Sequence, residues 1–188
     1  LVIADGASPI ALAGVMGGAN TEITDKTTRI LLESAYFEPQ AINRTSRRFK
    51  IKSESSIRFE EGVDWNGVFS ASNRAVQLIQ ELAGGVIAKG AIDVRGTAPK
   101  TRTILLTLGK LDQYLGAAVT SAHVNKILKG LGCAVTLKKS KTGGVSKVTV
   151  PSHRLQDLEQ DVDLIEEIAR LAGYDRVAVT LPAILPPA

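Results

Sequence analysis

The stretch from Pro151 to Tyr174, PSHRLQDLEQDVDLIEEIARLAGY, constrains the chain most, because its apolar residues recur at a helical period behind a proline that ends a strand. On a 3.6-residue wheel Leu158, Val162, Ile165, Ile168, Ala169 and Ala172 share one half, which predicts a core-facing side. Asp163, Glu166 and Glu167 gather on the other half. Arg170 stands four residues beyond Glu166, which suits an ordinary helix ion pair on a solvated face. Carboxylates at this spacing are also what a hard cation such as Mg²⁺ accepts, with waters completing its shell. Spacing alone leaves both readings open.

A chain of 188 residues with 44% hydrophobic content and a net charge of +4 fits a globular protein of one large or two small domains. No run of eighteen apolar residues occurs, and the first residues lack the basic-then-apolar pattern of a signal peptide, so a cytoplasmic location away from membranes is expected. The lone Cys133 has no disulfide partner in the chain and, within the apolar run Cys133-Ala134-Val135, reads as a small buried hydrophobe. The positive charge is compatible with a phosphate-bearing partner but too modest to establish one. A first residue other than Met and a final Leu-Pro-Ala-Ile-Leu-Pro-Pro run suggest a piece of something larger.

Strands are predicted at 1–4, 10–13 and 29–32, each bounded by turn-forming residues. Pro39 suits the first turn of a helix reaching about Phe49. A second helix is predicted from about Trp65 to Leu82, with Val68, Ala71, Ala75, Leu78, Ile79 and Leu82 on one face and Gly84-Gly85 as its stop. After a strand at about 86–94, the segment 95–101 has the composition of a linker. Beyond it come a strand at 103–108, a helix capped by Thr120, and two strands, 133–138 and 145–150, whose connection carries Gly143 and Gly144 for positive-φ positions. The last helix ends at Gly173. The expected class is α+β: a mixed α/β portion at 1–96, a small helix-hairpin-helix, winged-helix-like module at 97–182 and a tail at 183–188.

Arg44, Arg47, Arg48, Lys50 and Lys52 form a basic group at the end of the Pro39 helix, and the three arginines share one side. Such density suits RNA phosphates or simply a charged helix surface, and no aromatic residues interleave to stack bases. His123 is expected on a helix surface and His153 in a strand-to-helix turn, neither placed as a general base.

Taken together, GVMGG at Gly14–Gly18, LLESAYF at Leu31–Phe37, SESS-IRFE-EGVD at Ser53–Asp64, LGC at Leu131–Cys133, VPSHR-x-D at Val150–Asp157 and D-x-D-LIEEIAR-x-x-GYD at Asp161–Asp175 closely resemble the β subunit of bacterial phenylalanyl-tRNA synthetase. The resemblance spans nearly the whole chain. It implies the C-terminal half of that subunit's editing domain, which hydrolyses tRNA mischarged with tyrosine, followed by the small module after it. Editing-pocket positions correspond to Gly17, Glu33 and Ser53. Ser55 stands where many relatives carry alanine, which adds a hydroxyl to the pocket floor.

In this family the aspartate after PSxRxD, the next D-L aspartate and the paired glutamates are Mg²⁺ ligands shared with the α subunit, which here implies Asp157, Asp163, Glu166 and Glu167. The implied parent is an (αβ)₂ assembly that charges tRNA(Phe) using ATP, with activation chemistry on the α subunit. Two rivals remain from the residues alone: a non-catalytic scaffold docked through its acidic helix, and a nucleic-acid-binding module in which Lys126 and Lys129 meet phosphates.

Overall fold

The computed structural model describes residues 1–116, 119–140 and 143–176. The fold is α+β, and the chain divides into two compact units, Leu1–Pro99 and Lys100–Ala188. The expected tail at 183–188 lies outside the described residues.

The first unit opens with an antiparallel meander, β1 (Val2–Ala4), β2 (Pro9–Leu12) and β3 (Met16–Gly17), in that spatial order. Val2 pairs with Leu12 and Ile3 with Ala11, and a register shift follows at Ala4. Helix α1 (Pro39–Phe49) starts where the proline predicts, its first turn capped by the Glu38 carboxylate, which accepts from the Ala41 N–H at 2.9 Å. It ends at Lys50 in a left-handed conformation, φ 55°. Helix α2 (Glu54–Glu61), which periodicity did not foretell, is started by a reciprocal cap between Ser53 and Ser56. Helix α3 (Val68–Ala83) follows a short 3₁₀ turn at Trp65–Gly67 and stops at Gly84, φ 74°. The buried apolar residues here are Ala13, Val15 and Ile42.

The strands expected at 29–32 and 86–94 do not form. A strand needs a neighbour for its N–H and C=O groups, and no described segment pairs with either stretch. Their side chains stand in solvent, with Leu31 95% and Val86 99% exposed.

In the second unit β4 (Thr103–Thr107), β6 (Gly143–Thr149) and β5 (Ala134–Ser140) form an antiparallel sheet with β6 in the centre. Ile104 and Leu106 of β4 and Val148 of β6 face a core completed by three helices. Helix α4 (Leu108–Leu115), also not foretold, is capped by Thr107 and buries Leu111 and Leu115 one turn apart. Helix α5 (Ser121–Gly130) starts from Thr120 as expected and buries Val124, Ile127 and Leu128. Helix α6 (Asp161–Ala172) buries Leu164, Ile165, Ile168 and Ala169. The wheel had placed Val162 inside and omitted Leu164. The structure reverses them, with Val162 39% exposed and Leu164 fully buried. Gly144 is a strand residue opposite Lys139 rather than a positive-φ turn position, and residues 141–142 of the connection lie outside the described set. No described helix is long and apolar enough to cross a membrane.

Candidate functional site

Three of the sequence motifs meet around Gly14. Its φ of +66° suits glycine, and a Cβ there would stand 2.9 Å from both Ile42 Cδ1 and Phe37 Cδ2 and 3.3 Å from Phe59 Cδ2. Phe37 belongs to the Leu31–Phe37 motif and packs edge-on to Phe59 of α2, ring centroids 5.0 Å apart. From the other side Ser53 Oγ donates to the Val15 carbonyl at 2.6 Å and Ser55 Oγ donates to the Gly14 carbonyl at 3.1 Å. The start of α2 is thereby fastened to the glycine turn.

Both serine hydroxyl donors are therefore engaged by backbone. Ser53 Oγ also accepts the Ser56 N–H at 3.0 Å, which completes the helix cap. The two residues position the turn, and Ser55 remains exposed beside it. Gly17 differs from Gly14: a Cβ there would meet nothing within 4 Å, and its φ is not positive. Its backbone borders open space.

Glu33 is exposed, and among the described residues it has no ion-pair or hydrogen-bond partner. Surrounding protein nevertheless pushes its carboxyl above the ordinary glutamate value by desolvation. The chain immediately after it is held: Ser34 Oγ donates to the Val68 carbonyl at 2.9 Å, and Tyr36 packs edge-on to Trp65. Glu33 sits at the free end of an anchored segment.

The acidic residues of the second unit are arranged differently from a metal cluster. Arg154 donates to Asp157 at 2.5 Å and to Glu167 Oε1 at 2.8 Å. Arg170 pairs with Glu167 three residues earlier rather than with Glu166, which is exposed. Asp163 Oδ2 accepts the N–H groups of Glu159 and Gln160, each at 2.7 Å, and so caps the helix. Burial alone would raise the Glu167 pKa, but hydrogen bonds from Arg154 and Arg170 outweigh it and leave the carboxyl below its usual value. The same contacts, that with Asp157 first, raise the Arg154 pKa. Among the described residues no group of three or more His, Cys, Asp or Glu side chains is gathered to hold a metal ion. As arranged in this chain, Asp157, Asp163, Glu166 and Glu167 do not fit a Mg²⁺ site.

Arg154 is the residue that sequence reasoning passed over, although it stands inside the VPSHR-x-D motif. Arg102 reinforces the same loop, donating to the carbonyls of Leu155 and Leu158 at 2.6 and 3.1 Å. His123 is half-buried rather than on the surface, with its Nε2 unpartnered, and Cys133 is buried as expected. Phe49 also corrects the sequence reading, because its ring lies 5.8 Å from the Arg48 guanidinium, inside the basic group that had looked free of aromatics.

Two family models account for most of the chain. The B3/4 domain matches residues 1–84 and the tRNA synthetase B5 domain matches residues 104–174. The class is thus a tRNA synthetase component that joins these two domains. The phenylalanine–tRNA ligase β subunit of Geobacter sulfurreducens is 47% identical over 97% of this chain and 22% of its own length. Those of Moorella thermoacetica and Rhodopirellula baltica are 46% and 45% identical, over 98% and 99% of this chain and 22% and 27% of their own lengths. The chain belongs to the phenylalanine–tRNA ligase β-subunit family, and it spans about a quarter or less of the length of these curated relatives.

Proposed function

We propose that this chain is the part of a phenylalanine–tRNA ligase β subunit that clears tyrosine wrongly attached to tRNA(Phe). In this reading the parent, an (αβ)₂ enzyme in the cytoplasm, charges tRNA(Phe) with phenylalanine using ATP and Mg²⁺, and activation takes place on the α subunit. The observation that carries the proposal is the convergence of GVMGG, LLESAYF and SESS on Gly14, which leaves the Gly17 backbone open and Glu33 without a partner. A carboxylate with no arginine to neutralise it is available to accept the tyrosine hydroxyl or to hold the attacking water. A site that needs a hydrogen bond from that hydroxyl rejects phenylalanine, because binding it would leave the carboxylate unpaired. Ser53 and Ser55 hold the glycine turn against α2. No step of this chemistry runs through the carboxylates of α6.

The test is hydrolysis of tyrosyl-tRNA(Phe) by the intact enzyme with Glu33 and with Glu33→Ala. A loss of tens-fold or more in deacylation, with phenylalanine charging unchanged, is the expected result. Unchanged deacylation would remove Glu33 from the site and leave this segment as scaffold.

A further inference from the structure

An open groove of about 570 Å³ runs between the first two strands and α1, with Val2 and Leu12 on the strand side and Arg44, Arg48 and Phe49 on the helix side. We propose that this groove binds single-stranded RNA, with Phe49 stacking a base and Arg44 and Arg48 meeting the phosphates on either side of it. The proposal rests on the reading that the parent acts on tRNA, but on residues other than those around Glu33.

Charge is the first support. Arg44, Arg47, Arg48, Lys50 and Lys52 lie within nine residues, and among the described ones only Arg44 has a carboxylate within 4 Å, Glu38 at 3.7 Å. That pair is exposed on both sides and competes weakly with a phosphate. Aromatic surface is the second. Phe49 is 53% exposed, at the last residue of α1, and its ring and the Arg48 guanidinium 5.8 Å away present two flat surfaces to one groove. A nucleobase stacks on the exposed part of the Phe49 ring without sequence preference. The apolar strand side is the third. Half-buried Leu12 of β2 gives the base or ribose an apolar wall that a bare phosphate would not use.

The probe is a fluorescein-labelled twelve-nucleotide oligouridine, followed by anisotropy at several salt concentrations, with polyglutamate as an anion lacking bases. Wild type should bind the oligonucleotide more tightly than polyglutamate. Phe49→Ala should weaken RNA binding about 5- to 150-fold and leave polyglutamate binding unchanged, while Phe49→Trp should keep it. The double variant Arg44→Ala, Arg48→Ala should flatten the slope of log affinity against log salt by about 1.4, or about 0.7 per phosphate contact. Retained helicity by circular dichroism accompanies each variant. Equal affinity for polyglutamate with no effect of Phe49→Ala would show an acidic-peptide or merely electrostatic surface and overturn the proposal, as would absence of binding by wild type. Glu33→Ala should leave oligonucleotide affinity untouched, so failure of the editing reading and failure of the groove are told apart.

Discussion

In the second unit fifteen described residues, from Ile104 to Ala169, close into one buried cluster, whereas in the first unit only Ala13, Val15 and Ile42 are buried apolar residues. Yet the first unit is not poor in apolar residues. Its helix α3 carries the predicted stripe but buries none of its side chains fully, and Leu82 is 84% exposed. The difference teaches that a helical period specifies a helix and a face, not what the face meets. In the second unit α4, α5 and α6 all meet one sheet, so each stripe has an opposing surface. In the first unit the meander is short and the apolar stretches at 29–32 and 86–94 have no ladder to lie in.

The largest expected effect sharpens that contrast. Leu164→Ala, at a fully buried site in the second unit, should destabilise it by about 2–5 kcal/mol through lost burial and the cavity left behind. Val86→Ala, at a side chain 99% exposed, should change stability by no more than about 0.5 kcal/mol. Urea unfolding of the two variants checks both. A Val86→Ala cost comparable to that of Leu164→Ala would show that the 86–94 segment is covered in solution, and the contrast between the units would collapse.

Local signals were legible where they act within a turn or two. Pro39 marked the start of α1, Thr120 the cap of α5, and Gly84 and Gly173 the stops of α3 and α6. Helices α2 and α4 escaped because eight residues hold too little periodicity; their traces were the caps Ser53 and Thr107. The two strands that fail required partners elsewhere in the chain, which apolar runs cannot reveal. The site followed the same rule. Motifs singled out candidate positions, but not that Ser53 and Ser55 bond the carbonyls of Val15 and Gly14 about forty residues earlier. On α6, spacing pointed to a Glu166–Arg170 pair, whereas Arg170 meets Glu167 and Arg154 reaches the same carboxylate from a loop thirteen residues away.

A middle-sized effect probes that loop. Arg154→Ala strips a cation from Glu167, whose side chain is only 13% exposed, and should cost about 1–3 kcal/mol. Exposed Asp157 contributes little to that figure. Glu167 titrates lower in the folded chain than its ordinary 4.5, so its contribution is fully present above pH 4.5 and is lost as the pH falls through the lower folded value. Wild-type melting temperature should therefore drop on acidification below about that pH, and Arg154→Ala should flatten the drop. Melting curves between pH 3 and pH 6, read as roughly evenly spaced points, decide it: parallel profiles would mean that Arg170 alone sets the Glu167 charge.

The smallest effect returns to the first unit and asks whether its few contacts form one structure. Ser53 both caps α2 and donates to the Val15 carbonyl at 2.6 Å, so one hydroxyl joins helix and glycine turn. Ser53→Ala removes the cap acceptor, at a cost of about 1 kcal/mol. It also leaves the carbonyl of buried Val15 without that donor. Ser55→Ala removes only an exposed bond to the Gly14 carbonyl and should cost less, within about 0.5 kcal/mol. Amide hydrogen exchange checks the pair: Ser53→Ala should raise exchange in the first turn of α2 and across Gly14–Gly18 together, while α5 and α6 keep their rates. Faster exchange confined to α2 would separate the helix from the turn, and with it the geometry on which the Gly17 opening depends.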